Sequence, residues 1–395
     1  MYKPNLHLEN ITIEQIQTLI DDGIGENAQL EYKATTYGSS DSQKKEFLAD
    51  VTALANTQGG LIVIGVKEEE GVARGWADLA LDFDQESLRL EAILQSGVQP
   101  RIWGVKINSL IDGDRRALTV YVPKSFDRPH RVTAYNSNRF YGRNSSGKFE
   151  LDTDELRKMF NSNLDFFNQL RSFHHGRIGQ IRNGVYSLPL AKGGCFVVLH
   201  LLSPHFGEPR AAFEIEAAIN KQMEGFWPMG QTSGMSTRVN FDGILFYSAE
   251  DICSGYTQLF RNGCVEAVTT ELIADRSQKI LYGNALEGDI VSACKRYLNR
   301  LSQLGVSFPI YAMISIVGVR GAVMFRTVDD SYRSLPAGID YDELRLPEVR
   351  IDNVSEKNDL ALSFRHAFNA MWNAGGYVCS PNFSEDGIWK PSDNY

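Results

Sequence analysis

The first half of the chain alternates between two hydrophobic rhythms. Ile13, Ile16, Leu19 and Ile20 fall at the three-or-four spacing of an amphipathic helix, with Asn10 or Thr12 as cap and the turn residues Asp21 to Gly25 as its end. From Gln29 to Lys33 the pattern changes to strict alternation. A strand there puts Leu30 and Tyr32 on the core face and Gln29, Glu31 and Lys33 on the other. Ser40 to Gln43 has the form of a capping box for a helix reaching about Gln58, with Phe47, Val51 and Leu54 on one stripe and Gly59 and Gly60 as exit. Leu61 to Val66 is apolar on both faces, as a central strand is, and Glu68, Glu69, Glu70 and Gly71 turn the chain at its end.

The remaining pattern predicts a helix over 83–95, strands near 101–107, 117–123 and 139–141, and a helix over 154–170, which together make an α+β unit. Periodicity breaks between Phe173 and Leu188, where His174, His175 and an Asn183-Gly184 pair stand. The expected domains are therefore 1–172 and 188–395, joined by a linker over 173–187. The second half reads as a mixed α/β domain, with strands over 195–202, 243–248, 256–260, 264–268 and 308–319, a long helix over 285–304 and a last helix over 359–374.

A length of 395 residues suits two domains with proper cores. The formal charge of -9 argues against a protein that coats nucleic acid through its overall field, so any polyanion site is local. Five cysteines, Cys195, Cys253, Cys264, Cys294 and Cys379, stand far apart without zinc spacing, which fits a reduced setting. No stretch approaches the roughly 20 apolar residues of a membrane span, and the start of the chain does not read as a signal peptide. The expected location is the cytoplasm, with no membrane partner.

The candidate chemistry lies in the first third. Carboxylates before, on and after two neighbouring strands supply the hard oxygen ligands that a metal-dependent phosphodiester cleaver needs. Glu26 and Glu31 are five apart, on opposite faces of an ideal strand and about 140 degrees apart on a helix, so they converge only if Glu26 belongs to a turn, which Gly25 permits. Glu31 and Lys33 share a strand face, where the acid can hold Mg2+ or Mn2+ and the ammonium can stabilise developing charge. Glu68, with Glu69 as rival, is the third candidate ligand. The plain alternative is a surface Glu31–Lys33 pair and a solvated turn over Glu68 to Glu70.

These residues, with the Ala53 to Gly60 run Ala-Leu-Ala-Asn-Thr-Gln-Gly-Gly, the Ile-Gly-Val end of the buried strand and the later Arg139 to Ser146, resemble the Schlafen AlbA-type domain, also labelled a divergent AAA domain, over roughly residues 12–160. The resemblance implies a Schlafen-core-like mixed sheet with helices and a metal-dependent endoribonuclease acting on tRNA or rRNA. Its two glutamates five apart carry over to Glu26 and Glu31. The family's aspartate after the strand does not carry over, because Lys67, Glu68 and Glu69 stand there, and an extra methylene is a large displacement against coordination at about 2.0–2.1 Å. Other relatives bind nucleic acid without cleaving it, and many bacterial ones accompany defence or regulatory genes. For the second domain the resemblance implies no activity; a sensing or homo-oligomerising role is an expectation from the two-domain architecture alone.

Arg128, His130, Arg131, Arg139, Arg143 and Lys148, interleaved with Tyr135, Phe140 and Tyr141, offer charge for a phosphate backbone and faces for base stacking. Gly142 to Lys148 also satisfies the first part of a phosphate-binding loop, the basis of an ATP-binding regulator as a further alternative. Phe149 stands where that loop requires Ser or Thr.

Overall fold

The computed structural model describes residues 8–185, 188, 190, 195–204, 206–207, 213–220, 224–231, 235–248, 253–271, 273–275, 279–325, 338–354, 356–384 and 386–390. Its contacts divide the chain into two units, Met1–Asn168 and Gln169–Tyr395, in a mixed α+β architecture.

In the first unit, α1 (Ile13–Asp21) opens with the full capping box, Thr12 and Gln15 each bonding the other's backbone. Strand β1 (Leu30–Lys33) follows, then α2 (Asp41–Asn56) and β2 (Gly60–Ile64). β1 lies parallel to β2 at the edge of a sheet ordered β1-β2-β7-β6, in which β7 is Arg115–Val122 and β6 is Lys106–Asp112. The alternation expected for β1 holds. Leu30 and Tyr32 join Leu61, Val63, Ile16 and Leu19 in one core, while Glu31 and Lys33 pair in register with Ile62 and Ile64, which face α2 and the second core. Covered on both faces, β2 is buried throughout.

The chain departs from expectation after Ile64. The central strand ends there because Gly65, at φ 109°, turns it: a Cβ at Gly65 would lie 2.5 Å from the Arg116 carbonyl oxygen. Glu68 and Glu69 therefore do not extend the buried strand. They belong to a separate hairpin of β3 (Val66–Glu69) and β4 (Val72–Trp76).

Helix α3 (Phe83–Gly97) leads to a second sheet ordered β10-β9-β8-β5, made of β5 (Val98–Gln99), β8 (Arg131–Val132), β9 (Arg139–Asn144) and β10 (Gly147–Glu150).

Helix α4 (Thr153–Arg182) runs from the first unit into the second, so the segment expected to be a linker from 173 is helical as far as Arg182. Its buried residues Leu170, His174, Ile178 and Ile181 keep helical spacing, with a histidine taking one apolar position. The second unit contains β11 (Phe196–Leu202), α5 (Ile215–Asn220), β12 (Met235–Val239), β13 (Gly243–Ser248), β14 (Gly255–Phe260), β15 (Val265–Thr269), β16 (Ile273–Asp275), β17 (Lys279–Tyr282), α6 (Gly283–Gln303), β18 (Ile310–Val317), β19 (Val323–Phe325), β20 (Glu343–Arg345), β21 (Val349–Ile351) and α7 (Lys357–Ala374). Its large sheet is ordered β12-β13-β14-β15-β11-β18-β20, with β21 also on β18. Residues of α6 and α7 fill one core of this unit, and Ile178 and Ile181 of α4 fill another.

Two buried polar clusters tie the second unit together. His174, expected in a polar linker, is buried instead and bonds His200 at 2.6 Å and the Ser315 hydroxyl at 2.9 Å. His200 in turn meets Glu266 at 2.9 Å, and Arg177 holds Glu266 through two bonds of 2.7 Å. Buried Glu287 accepts from Trp372, Ser380, Asn382 and Trp389, so Trp372 and Trp389 are core residues with satisfied N–H groups. Among the described residues no helix is long and apolar enough to cross a membrane.

Candidate nucleic-acid interface

Asn56, at the end of α2, organises the ground on which the site stands. Its Nδ2 donates to the carbonyls of His130 and Tyr141 at 2.9 and 2.8 Å, and its Oδ1 accepts from the His130 N–H at 2.7 Å. One buried amide thus binds the 128–141 segment to the helix end. Arg128 completes the join by donating to the Thr57 carbonyl at 3.2 Å. With the hairpin β9–β10 fixed in this way, its basic residues are brought to the edge strand β1.

Glu31 lies at the centre, 7% exposed. One carboxylate oxygen takes Lys33 Nζ at 2.7 Å and the other takes the Arg143 guanidinium. Arg143 is itself buried, and it donates further to the carbonyls of Asn27 at 2.9 Å and Leu30 at 3.3 Å. A second buried carboxylate, Asp50 of α2, accepts from Lys148 Nζ at 2.6 Å and from the Tyr37 hydroxyl at 2.7 Å. Glu46 stands at the rim, 3.7 Å from Lys33.

The titration shifts follow from this crowding. Burial works against the Lys33 ammonium, yet its bond to Glu31 and the charges of Asp50, Glu31 and Glu46 outweigh it and raise its proton affinity. Burial raises the proton affinity of Glu26, with the neighbouring Glu31 charge adding, against the opposing Tyr32 N–H bond of 2.9 Å. Burial and then Asp50 push the Tyr37 hydroxyl well above the ordinary phenol range.

The expected three-acid metal centre does not form. Glu26 lies between the bridges Gly25–Val72 and Asn27–Leu30, just before the Ala28–Gln29 turn rather than in it, with its N–H on the Gly71 carbonyl at 2.7 Å and its side chain against Gly71. Glu68 approaches the same residue, but its carboxylate accepts the Gly71 N–H at 2.7 Å and closes its own hairpin turn. Glu69 is an exposed partner of Arg74 at 3.4 Å. Among the described residues no three Asp, Glu, His or Cys side chains are placed to hold one ion. The donor set Glu26, Glu31 and Glu68 does not fit Mg2+ or Mn2+ as it stands, because both Glu31 oxygens already carry cations and Glu68 is held by its turn.

The basic residues separate into two groups. Arg128, His130 and Arg143 are structural: they bond α2 and loop carbonyls and Glu31, and His130 is fully buried with Nδ1 2.8 Å from the Pro100 carbonyl. Arg131, bonded to Gln99 at 3.0 Å, and Arg139, paired with Glu150 at 2.9 Å, face outward. Lys33 and Lys148 keep 28% and 26% of their side chains exposed, and Lys148 lies 6.0 Å over the half-buried Tyr141 ring. The phosphate-loop reading fails on geometry: residues 142–148 lie in the β9–β10 hairpin, and no helix starts directly after Lys148.

Asp50, Tyr37 and Glu46 were not singled out from the sequence. Asp50 carried the one available signal, an acid on the same helical stripe as Phe47 and Leu54.

Residues 26–152 match the family described as Schlafen, AlbA_2. Among solved structures, the DIP2311 protein from Corynebacterium diphtheriae is similar at 16% identity over 37% of this chain and 27% of its own, with a TM-score of 0.27. The N-terminal domain of a RecG-related protein from Nitrosomonas europaea is similar at 21% identity over 33% of this chain and 85% of that one, with a TM-score of 0.26. The chain therefore spans 27% of the DIP2311 protein. No curated protein shows significant similarity to the chain. By the family match and the motifs that occupy its strands and helix, this chain carries a Schlafen AlbA_2-type domain at residues 26–152.

Proposed function

We propose that the N-terminal unit binds nucleic acid, RNA first, through the face where Lys33 and Lys148 emerge. One observation carries this reading: both ammonium groups are fixed by buried carboxylates, Glu31 and Asp50, and both remain about a quarter exposed. An ammonium has three donors, and the carboxylate satisfies only part of that capacity, leaving N–H groups preorganised for phosphate oxygens. Tyr141 beside Lys148 and the outward Arg131 and Arg139 extend the face with a stacking surface and further charge. Such local charge is compatible with the net charge of -9.

A second reading, metal-dependent endonucleolytic cleavage of structured RNA of the tRNA or rRNA kind, is favoured by Glu26 and Glu68 meeting at the same Gly71 turn. It requires Glu31 to release Arg143 and Glu68 to leave its turn. One assay separates the two: labelled tRNA, rRNA and single-stranded DNA are incubated with the protein in manganese, magnesium or excess chelator. Retention of RNA without product supports the binding reading. A product that vanishes in chelator, and with a Glu31→Gln protein shown to be folded by its urea midpoint, establishes cleavage in its place, and absence of both retention and product removes both readings.

A further inference from the structure

We infer that Arg143 is a built-in cation filling an oxygen-lined socket that otherwise draws a divalent ion. The socket consists of the Asn27 carbonyl at 2.9 Å from Nε, the Leu30 carbonyl at 3.3 Å from Nη2, and one carboxylate oxygen of Glu31. Backbone carbonyls and a carboxylate are hard oxygen donors, the set that calcium, manganese and magnesium prefer. The guanidinium side chain that fills it is only 3% exposed.

Lys33 sits on the other Glu31 oxygen at 2.7 Å, so the two side chains bring to this carboxylate the double positive charge that a divalent ion would bring. A dication approaching the occupied socket meets repulsion from both and finds no free oxygen on Glu31. Two monovalent side chains thus take the place of a metal at this carboxylate, and the inference holds whether or not the face binds RNA. Removing the guanidinium while keeping side-chain bulk, as in Arg143→Met, leaves two carbonyls and a buried carboxylate open to a cation.

The test uses the full chain with Mn2+ alone as probe, read by thermal denaturation and by Mn2+ titration calorimetry. In the wild-type protein we expect no saturable Mn2+ binding that Glu31→Gln abolishes, and no rise in the denaturation midpoint. In Arg143→Met we expect a lowered midpoint that Mn2+ raises by several degrees, with the rise absent from Arg143→Met/Glu31→Gln. Wild-type Mn2+ binding lost in Glu31→Gln overturns the inference, as does an Arg143→Met protein indifferent to the ion. Should Arg143→Met fail to accumulate folded, refolding from urea decides: recovery only with Mn2+ supports the inference, and failure with and without Mn2+ overturns it.

Discussion

Arg143 of β9 and Glu31 of β1 form a buried ion pair, with side chains 3% and 9% exposed, that ties the basic hairpin to the edge of the main sheet. A buried pair is costly to break from one side, because the remaining charge loses its partner while staying out of water. Glu31→Ala leaves Arg143 with two carbonyls and no counter-charge, so it should destabilise the N-terminal unit by about 3–5 kcal/mol. Urea denaturation measures this, and an unchanged midpoint would show that the pair contributes little.

Asn56 should be nearly as sensitive without carrying any charge. Asn56→Ala strands the His130 N–H and the carbonyls of His130 and Tyr141, all bonded by the one amide. The expected loss is about 2–4 kcal/mol, several unmade buried bonds less what water recovers. Asn56→Asp should be worse, since a carboxylate oxygen would face two carbonyls where an amide donated. Equal midpoints for the two variants would argue that donation to those carbonyls is unimportant.

His130 predicts a pH dependence with a definite sign. Burial lowers its proton affinity from 6.5 to about 4, against the bond from Nδ1–H to the Pro100 carbonyl. Between those values the unfolded chain binds the extra proton and the folded chain does not. The contribution is therefore fully present above pH 6.5 and is lost as pH falls toward 4, roughly 3 kcal/mol across the window. His130→Asn keeps an N–H for Pro100 and removes the titration. Urea midpoints of the two proteins should diverge less at pH 4 than at pH 7, and a constant difference between them would contradict the assignment of a neutral buried imidazole.

Much of the fold was legible because local pattern and tertiary burial agree. Helix α1, the alternation of β1, the two-sided burial of β2 and helix α7 all lie where periodicity puts them. The misreadings share a cause: residues whose partners lie far along the chain. Gly65 stops the central strand because Arg116 occupies the space on that side, and α4 passes the expected linker because His174 finds His200 and Ser315. The site was half legible for the same reason. Glu31 and Lys33 declare their pairing by spacing on one strand, whereas Arg143 joins Glu31 from 112 positions later, a distance across which no periodicity reports. Arg128 and His130 look like solvent-facing charge in sequence and prove to be the partners of the α2 C-terminus.

In the proposed function Lys33 and Lys148 together receive a phosphate backbone. The direct measurement is fluorescence anisotropy of a labelled structured RNA titrated with the full chain over a series of salt concentrations, for the wild-type protein and for Lys33→Met/Lys148→Met. Each phosphate contact contributes a little under one unit to the slope of log K against log salt. The account predicts wild-type binding that weakens with salt, and a slope shallower by about 1–2 in the double variant. Wild-type binding with the same slope in both proteins, or no salt-dependent binding at all, would contradict it.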